Sequence, residues 1–197
     1  LLKLCHSLLT PSQGHIQWHG ENDDKKNVSF DQAMVFQRPV MLRRTAVANI
    51  DYALSLRGLN KAQRKARTEE VLRLTGLAHL GYFSARVLSF GEQQKLALAR
   101  AWALKPKVLF LDEPTASLDP SATLEIEKVI NAIHDSGTQI IMTTHDLAQA
   151  KRLADELLFI HQGRLIENGL AKTFFAGPTN NFAKAFLKGD LLLWDQA

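Results

Sequence analysis

The sequence predicts an α/β fold with a mostly parallel sheet, and three observations support that prediction. Apolar runs of strand length alternate along the chain with segments of helical periodicity. Residues 108–111, Val-Leu-Phe-Leu, contain no polar side chain, which is typical of a strand covered on both faces. Three predicted strands end at polar residues that can bind a ligand or take part in catalysis, namely Gln37, Asp112 with Glu113, and His145. Right-handed crossovers would bring these ends to one edge of the sheet.

The first half of the chain reads as an apolar helix, two strands and a helical region. Apolar spacing from the first residue predicts the helix, and a Thr-Pro-Ser-Gln-Gly turn ends it. His15 and His19 fall on a predicted strand without a third ligand, so solvated histidines are favoured over a metal pair. The predicted elements are a helix over 1–9, strands over 15–20 and 33–36, and helices over 46–56 and 61–74.

The second half repeats the alternation of strand and helix. Lys105 and Pro106 end one helix, and Gln162 with Gly163 forms the turn of a hairpin. Besides the strand at 108–111, the predicted elements are helices over 94–104, 121–134, 147–154 and 181–187, a strand over 139–144, and hairpin strands over 157–160 and 164–167.

The composition is that of an ordinary globular protein, with 46% hydrophobic and 22% charged residues. The 24 Lys and Arg against 20 Asp and Glu give a net charge of +4, which does not require a nucleic-acid partner. No run approaches the length of a membrane span, and the single cysteine, Cys5, excludes an internal disulfide and fits a reducing compartment. The basic run of the helix at 61–74 could contact phosphates, but its mixture with Glu69 and Glu70 favours a solvated face.

Two of the candidate sites also have simpler structural explanations. Asp112 and Glu113 end the buried strand, where a capping pair of acids is about as plausible as a functional site. Ser89 and Gly91 open a helix whose free N–H groups could face an anion, yet Ser89 alone would serve as an ordinary N-cap. The convergence of several strand ends is what the simpler explanations do not predict.

These segments together resemble the ATP-binding cassette (ABC) ATPases over nearly the whole chain. Residues 88–95, Leu-Ser-Phe-Gly-Glu-Gln-Gln-Lys, resemble the family signature, and 108–113 resemble its Walker-B strand. Residues 117–119 resemble the D-loop, and 144–146 resemble the switch-histidine segment. Each motif alone is weak, but their order and spacing together are specific. The resemblance implies a P-loop NTPase (RecA-like) core over 1–38 and 105–197, with a helical subdomain carrying the signature over 39–104.

The resemblance also implies a role for each site residue, with ATP and Mg²⁺ as cofactors. Asp112 corresponds to the magnesium-supporting carboxylate and Glu113 to the catalytic base that orients water. Gln37 corresponds to the Q-loop residue that touches magnesium or the attacking water, and His145 to the histidine that contacts the γ-phosphate. The nucleotide-binding positions of the signature and D-loop correspond to Ser89, Gly91, Glu92 and Asp119.

The sequence departs from the family pattern at the signature. Phe90 stands where the family has glycine, and Lys95 stands where arginine is more usual. Phenylalanine lacks the backbone freedom of glycine, so we expect the geometry of this loop to differ.

The P-loop pattern G-x-x-x-x-G-K-[ST] is absent, because no Gly-Lys pair occurs in the 197 residues. In the family this motif leads straight into a helix that resembles residues 1–9, so we expect the chain to be cut just after it. Since the P-loop amides and lysine cradle the phosphates, we expect this chain alone to be inactive.

Within the family, residues 36–45 and 182–189 resemble importer cassettes, notably those for tungstate and molybdate. This implies a peripheral protein on the cytoplasmic face of a bacterial or archaeal membrane. Its implied partners are a transmembrane permease, a second cassette in a head-to-tail dimer and a substrate-binding protein, without nucleic acid. The alternative is a truncated or degenerate cassette that only binds a partner.

Overall fold

The computed structural model describes residues 1–18 and 30–190 and divides the chain after Thr143 into two compact units. The first unit contains α1 (Leu2–Cys5), β1 (Gln32–Val35), α2 (Ala46–Ser55), α3 (Lys61–Leu74), a 3₁₀ turn (Ala78–Leu80), α4 (Phe90–Ala103), β2 (Val108–Asp112), α5 (Pro120–Asp135) and β3 (Gln139–Thr143). The second contains α6 (Leu147–Leu153), β4 (Glu156–His161), β5 (Arg164–Leu170), α7 (Ala171–Ala176) and α8 (Asn181–Lys188).

β2 is the central strand of a three-stranded parallel sheet in the first unit. It pairs with β1 on one side and with β3 on the other, which confirms the predicted parallel α/β arrangement. Leu109, Phe110 and Leu111 are fully buried, as their unbroken apolar run predicts. The register places Asp112 beside Thr143 at the carboxyl ends of β2 and β3. The acids therefore stand at the sheet edge where ligands of α/β proteins bind.

Helices α4 and α5 supply much of the core of the first unit. Leu96 and Leu98 of α4 and Ile126 and Ile133 of α5 are fully buried and belong to one apolar cluster with the β2 side chains. The small residues of α4, Ala97, Ala99, Ala101 and Ala103, are buried as well. Small side chains allow this helix to pack closely on its neighbours.

The basic face of α3 is less solvated than the sequence predicts. Lys61 and Lys65 are exposed, but Arg64 Nε lies 2.8 Å from Asp51 Oδ1 and its side chain is only 24% exposed. Arg67 donates from Nη2 to the carbonyl oxygen of Trp102 at 2.6 Å and from Nε to that of Ala103 at 3.3 Å. These carbonyls belong to the last turn of α4, whose negative dipole end attracts a cation. The prediction of a solvated face was wrong for these two arginines.

Several element predictions near the chain start need correction. α1 ends at Cys5 instead of residue 9, because Ser7 adopts a left-handed backbone with φ of 60°. Residues 15–18 form no strand, and residues 19 and 20 of that predicted strand lie outside the described part of the chain. The other predicted helices and strands form within about two residues of their expected ends, with two exceptions. α4 begins four residues earlier than predicted, at Phe90, and β5 runs three residues further.

The second unit is built on the predicted hairpin. β4 and β5 pair antiparallel, and the turn residues Gln162 and Gly163 have φ values of 47° and 75°. Phe159 packs against Phe174 and Phe186, with ring centroids 6.1 and 5.2 Å apart. The helix that contributes Phe174, α7, is not predicted from the sequence. Of the helices described, none has the length and apolar character needed to cross a membrane.

Replacing Arg67 by Met should destabilise the first unit, because the Ala103 carbonyl loses the guanidinium donor and the Trp102 carbonyl keeps only the Lys105 N–H at 3.0 Å. We expect the free energy of unfolding to fall by about 1–3 kcal/mol in denaturant titrations, the usual cost of losing hydrogen bonds to a charged group. Lys65→Met on the same helix is the matched control, since Lys65 is 77% exposed and lies 3.9 Å from Glu69. Its expected change is below about 0.5 kcal/mol. Equal effects of the two substitutions would contradict the capping role of Arg67.

Candidate functional site

The two acids at the end of β2 are held by one residue of the neighbouring strand. The Thr143 hydroxyl donates to Asp112 Oδ1 at 3.0 Å. The backbone N–H of Glu113 lies 3.2 Å from the Thr143 hydroxyl oxygen and 3.2 Å from its carbonyl oxygen, so both accept. Asp112, Glu113 and Thr143 are each partly exposed. The acids are thus fixed by hydrogen bonds and still accessible to a ligand.

Glu113 has an unusual backbone conformation. Its φ of 44° is left-handed, which is uncommon for a residue with a side chain. Its carboxylate oxygen Oε2 lies 3.4 Å from Nε2 of Gln37, the exposed residue two positions beyond β1. The structure therefore brings together Gln37, Asp112 and Glu113, three residues that the sequence places up to 76 positions apart.

Ser89 and Glu92 form a capping box at the start of α4. The Ser89 hydroxyl donates to Glu92 Oε2 at 2.7 Å, and the Ser89 N–H donates to the same oxygen at 2.8 Å. In return the Glu92 N–H donates to the Ser89 hydroxyl at 3.4 Å. These hydrogen bonds lower the pKa of Glu92 below its ordinary value. Both residues thus have a structural explanation besides the predicted nucleotide contact.

Phe90 does not disturb this loop in the way its replacement of glycine suggests. It is the first residue of α4, where the backbone needs no glycine, and its side chain is 38% exposed. Gly91 is the residue for which a small size matters. A Cβ added there would lie 3.4 Å from the Ala122 side chain and 3.7 Å from that of Leu118. The signature segment therefore lies against the segment that begins α5.

Asp119 begins α5 as its N-cap. Its Oδ1 accepts from the Ala122 N–H at 2.9 Å, and Pro120 occupies the first helical position, where a missing N–H costs nothing. The preceding Ser117 is left-handed, with φ of 66°. The cap accounts for one oxygen of the Asp119 carboxylate.

Gln94 is a residue whose importance the sequence analysis missed. It is fully buried in α4, and its Nε2 donates to the carbonyl oxygen of Phe36 at 3.4 Å. Phe36 immediately precedes Gln37, so Gln94 links the signature helix to the segment that carries Gln37. A glutamine on the buried side of a predicted helix was the available signal, because buried amides need partners.

His145 belongs to the second unit. It follows β3 by two residues and has an exposed side chain. The next residue, Asp146, is the N-cap of α6 and accepts from the N–H groups of Ala148 and Gln149. The strand predicted over 139–144 thus ends one residue early, at Thr143, and α6 begins after Asp146.

The donor set at Asp112 suits magnesium bound together with phosphates. Among residues 1–18 and 30–190, no group of three or more His, Cys, Asp or Glu side chains is arranged to hold a metal by itself. Mg²⁺ usually keeps several waters and takes only one or two carboxylates alongside substrate phosphates. Asp112, with one oxygen engaged by Thr143, fits that pattern as a single carboxylate ligand.

The comparison with known proteins identifies the family. The family described as "ABC transporter" matches residues 1–116. This chain belongs to the ABC transporter family. The structure of cbiO1 from Clostridium perfringens, described as part of the ABC transporter complex cbiONQ, superposes with a TM-score of 0.79 at 29% identity, covering 89% of this chain and 73% of that chain. The predicted P-loop NTPase fold class is thereby confirmed.

Curated relatives include ATP-binding proteins of several import systems. The tungstate uptake protein TupC of Peptoclostridium acidaminophilum is 39% identical over 176 residues, which cover 89% of this chain and 80% of that protein. The phosphate import protein PstB of Mycoplasmoides gallisepticum is 40% identical over 164 residues, covering 79% of this chain. The chain spans 49% of that PstB, about half its length.

The capping box should make stability depend on pH. A lowered pKa in the folded state means that ionised Glu92 stabilises the fold above the ordinary pKa of 4.5, and that this stabilisation is lost as pH falls through the lowered pKa. The unfolding free energy of the wild type should therefore fall more steeply than that of Glu92→Gln from about pH 5 to pH 3.

The effect should stay below about 1 kcal/mol, because solvent screens the exposed start of the helix. In a Ser89→Ala background the same substitution should change the slope less, since the main partner of the carboxylate is gone. Equal slopes for wild type and Glu92→Gln, measured by denaturant unfolding at each pH, would contradict this prediction.

Proposed function

We propose that this chain is the ATP-binding subunit of an ABC importer, in which ATP hydrolysis drives solute transport by a separate permease. The observation that carries the proposal is the grouping of Gln37, Asp112 and Glu113 at the sheet edge, in a chain that belongs to the ABC transporter family. The curated relatives that are importer ATP-binding proteins support it.

The proposed roles follow from what phosphoryl transfer to water requires. Magnesium, when bound, neutralises charge on the phosphates. Asp112 supports the metal, directly or through water, with the oxygen that Thr143 leaves available. Glu113 orients and deprotonates the attacking water as general base. Gln37, whose amide already contacts the Glu113 carboxylate, positions the same water or the metal.

The remaining site residues are proposed to grip nucleotide across a dimer. Ser89, Gly91 and Glu92 lie at the N-terminal end of α4, where free N–H groups and the helix dipole favour a phosphate. Asp119 begins the helix that packs against Gly91. In a head-to-tail dimer this surface would face the ATP held by the second cassette. His145 is proposed to contact the γ-phosphate.

For the transported solute we propose an oxyanion, such as tungstate or molybdate. TupC is a tungstate uptake protein and PstB a phosphate import protein, so oxyanion systems are represented among the relatives, alongside the methionine import protein MetN of Corynebacterium diphtheriae. In such a system the chain would be peripheral on the cytoplasmic membrane face, with a substrate-binding protein delivering the solute.

A second candidate function is partner binding without catalysis. The 197 residues contain no Gly-Lys pair, so the lysine and amides of a P-loop are not among them. The helical region 39–104, which we propose as the permease-docking subdomain, nevertheless exposes large apolar side chains. Tyr82 is 86%, Val87 72%, Val40 70% and Phe83 55% exposed. Exposed apolar groups of this kind can be buried by a partner.

The chain alone should bind MgATP weakly and release no phosphate. Loss of one preorganised donor typically costs about 10²- to 10³-fold in rate, and a P-loop supplies several. We expect calorimetric titration of MgATP into the 197-residue chain to show no micromolar binding. Phosphate release should not exceed that of the Glu113→Gln variant. Micromolar affinity would contradict the proposed inactivity and leave the importer assignment intact.

Charged substitutions in the exposed apolar group should weaken permease binding. The chain carrying both Tyr82→Asp and Val87→Asp should co-purify with the permease subunits encoded by adjoining genes at least about tenfold less, because desolvating two carboxylates is costly. Leu158→Asp is the control, since Leu158 is similarly exposed at 61% but lies outside the helical region. Unchanged co-purification of the double variant, or loss in the control alone, would exclude 39–104 as the docking region.

A further inference from the structure

Thr143 contributes more hydrogen bonds to the acid pair than its place at the end of a strand requires. Its hydroxyl has one proton, which goes to Asp112 Oδ1 at 3.0 Å. The hydroxyl oxygen then accepts from the Glu113 N–H at 3.2 Å. Both capacities of this hydroxyl are therefore directed to the two neighbouring residues proposed to carry the chemistry.

Packing alone does not explain the hydroxyl. Thr143 is the last residue of β3 and is partly exposed, with Met142 before it and Asp112 as its strand neighbour. Valine has the same branched shape and is likewise enriched in strands, so it would fill this position as well. What valine cannot provide is the pair of hydrogen bonds to Asp112 and Glu113.

The backbone of Glu113 shows why an anchor is needed there. The residue is left-handed, with φ of 44°, a conformation that costs free energy and persists only where surrounding contacts enforce it. Its N–H is shared between the hydroxyl and the carbonyl oxygen of Thr143, each at 3.2 Å. Its carboxylate is contacted by Gln37 at 3.4 Å. Thr143 thus holds the backbone of Glu113, and Gln37 contacts its side chain.

We propose that Thr143 is a positioning residue that sets the geometry of Asp112 and Glu113 relative to each other. By donating to Oδ1, it orients the Asp112 carboxylate and leaves the other oxygen for a ligand. By accepting from the Glu113 N–H, it fixes the direction in which the next carboxylate leaves the strand. The functional value of this arrangement rests on the proposed roles of Asp112 at magnesium and Glu113 at water.

Nuclear magnetic resonance of the full 197-residue chain tests the arrangement directly, with Thr143→Val against Thr143→Ser. In the valine variant we expect the Glu113 amide to exchange with solvent about three- to tenfold faster, the effect of losing one hydrogen bond. The ¹³C shift of the Asp112 carboxyl should also change. The serine variant keeps the hydroxyl and should stay close to wild type in both.

The amides of Leu111 and Ile140, earlier in the same strands, report on strand stability. A valine variant indistinguishable from wild type at Asp112 and Glu113 would overturn the proposal. Equal acceleration at Leu111, Ile140 and Glu113 in both variants would also overturn it, because the residue would then serve only the strand.

Manganese added alone as a paramagnetic probe distinguishes this proposal from the proposed function. Broadening of the Asp112 resonance should appear in wild type and Thr143→Ser and should need about three- to tenfold more manganese in Thr143→Val. If none of the three proteins shows broadening but the Glu113 amide exchanges faster in Thr143→Val, the hydrogen-bond arrangement is upheld. The support for a metal at Asp112 is then removed. Equal broadening in all three would show that Thr143 does not set the metal geometry.

Discussion

The pairing of β2 with a parallel strand on each side is the constraint on which the candidate site depends. Because β1 and β3 run in the same direction as β2, all three strands deliver their carboxyl ends to one edge. A shift of one residue between β2 and β3 would move Thr143 away from Asp112 and turn its side chain to the other face. The side chains 109–111 are fully buried and close-packed, so such a shift would disrupt their packing. Apolar packing in the middle of the strand therefore fixes the polar geometry at its end.

The transition from β2 into the following loop concentrates conformational strain. Glu113 and Ser117 both have left-handed backbones, with φ of 44° and 66°, and such conformations cost about 1–3 kcal/mol each for residues other than glycine. Hydrogen bonds from β3 and the cap that Asp119 forms on α5 hold the segment between the two elements. The consequence is that Asp112 and Glu113, although adjacent in sequence, leave the sheet with separately fixed directions.

The parts of the fold that the sequence predicts well are those governed by local periodicity. The helix α5 and the parallel strands follow from patterns of apolar spacing, and the hairpin follows from its Gln-Gly turn. Local patterns did not show that the left-handed Ser7 would end α1. Nor did they show that residues 15–18 would form no strand, since Trp18 there contacts the Cys5 carbonyl and the Phe110 ring instead. The short helix α7 lacks a side-chain cap that could have marked its start.

The site shows the same division between local and long-range information. Asp112, Glu113 and Gln37 could be predicted from the sequence, because each follows a predicted strand and lies in a motif of the family. Thr143 could not be singled out, because its partner Asp112 is 31 positions away. Gln94 offered the signal of an amide on the buried side of a helix, but its partner Phe36, 58 positions away, could not be named from the sequence. Arg67 was assigned to solvent for the same reason, since the carbonyls it contacts lie 35 and 36 positions along the chain. A sequence pattern identifies the candidate catalytic residues. The residues that position them are found only from the strand register and contacts of the folded chain.

In the capping box at α4, Ser89 and Glu92 stabilise the start of the helix and are also the residues proposed to contact nucleotide. The Ser89 hydroxyl and N–H both donate to Glu92 Oε2, at 2.7 and 2.8 Å. A phosphate approaching this helix end would need donors of the same kind, and it would meet the negative charge of Glu92. The carboxylate that stabilises the helix start therefore competes with an incoming anion for Ser89. If the proposed dimer forms, releasing Ser89 from Glu92 is part of the free-energy cost of gripping nucleotide across the interface.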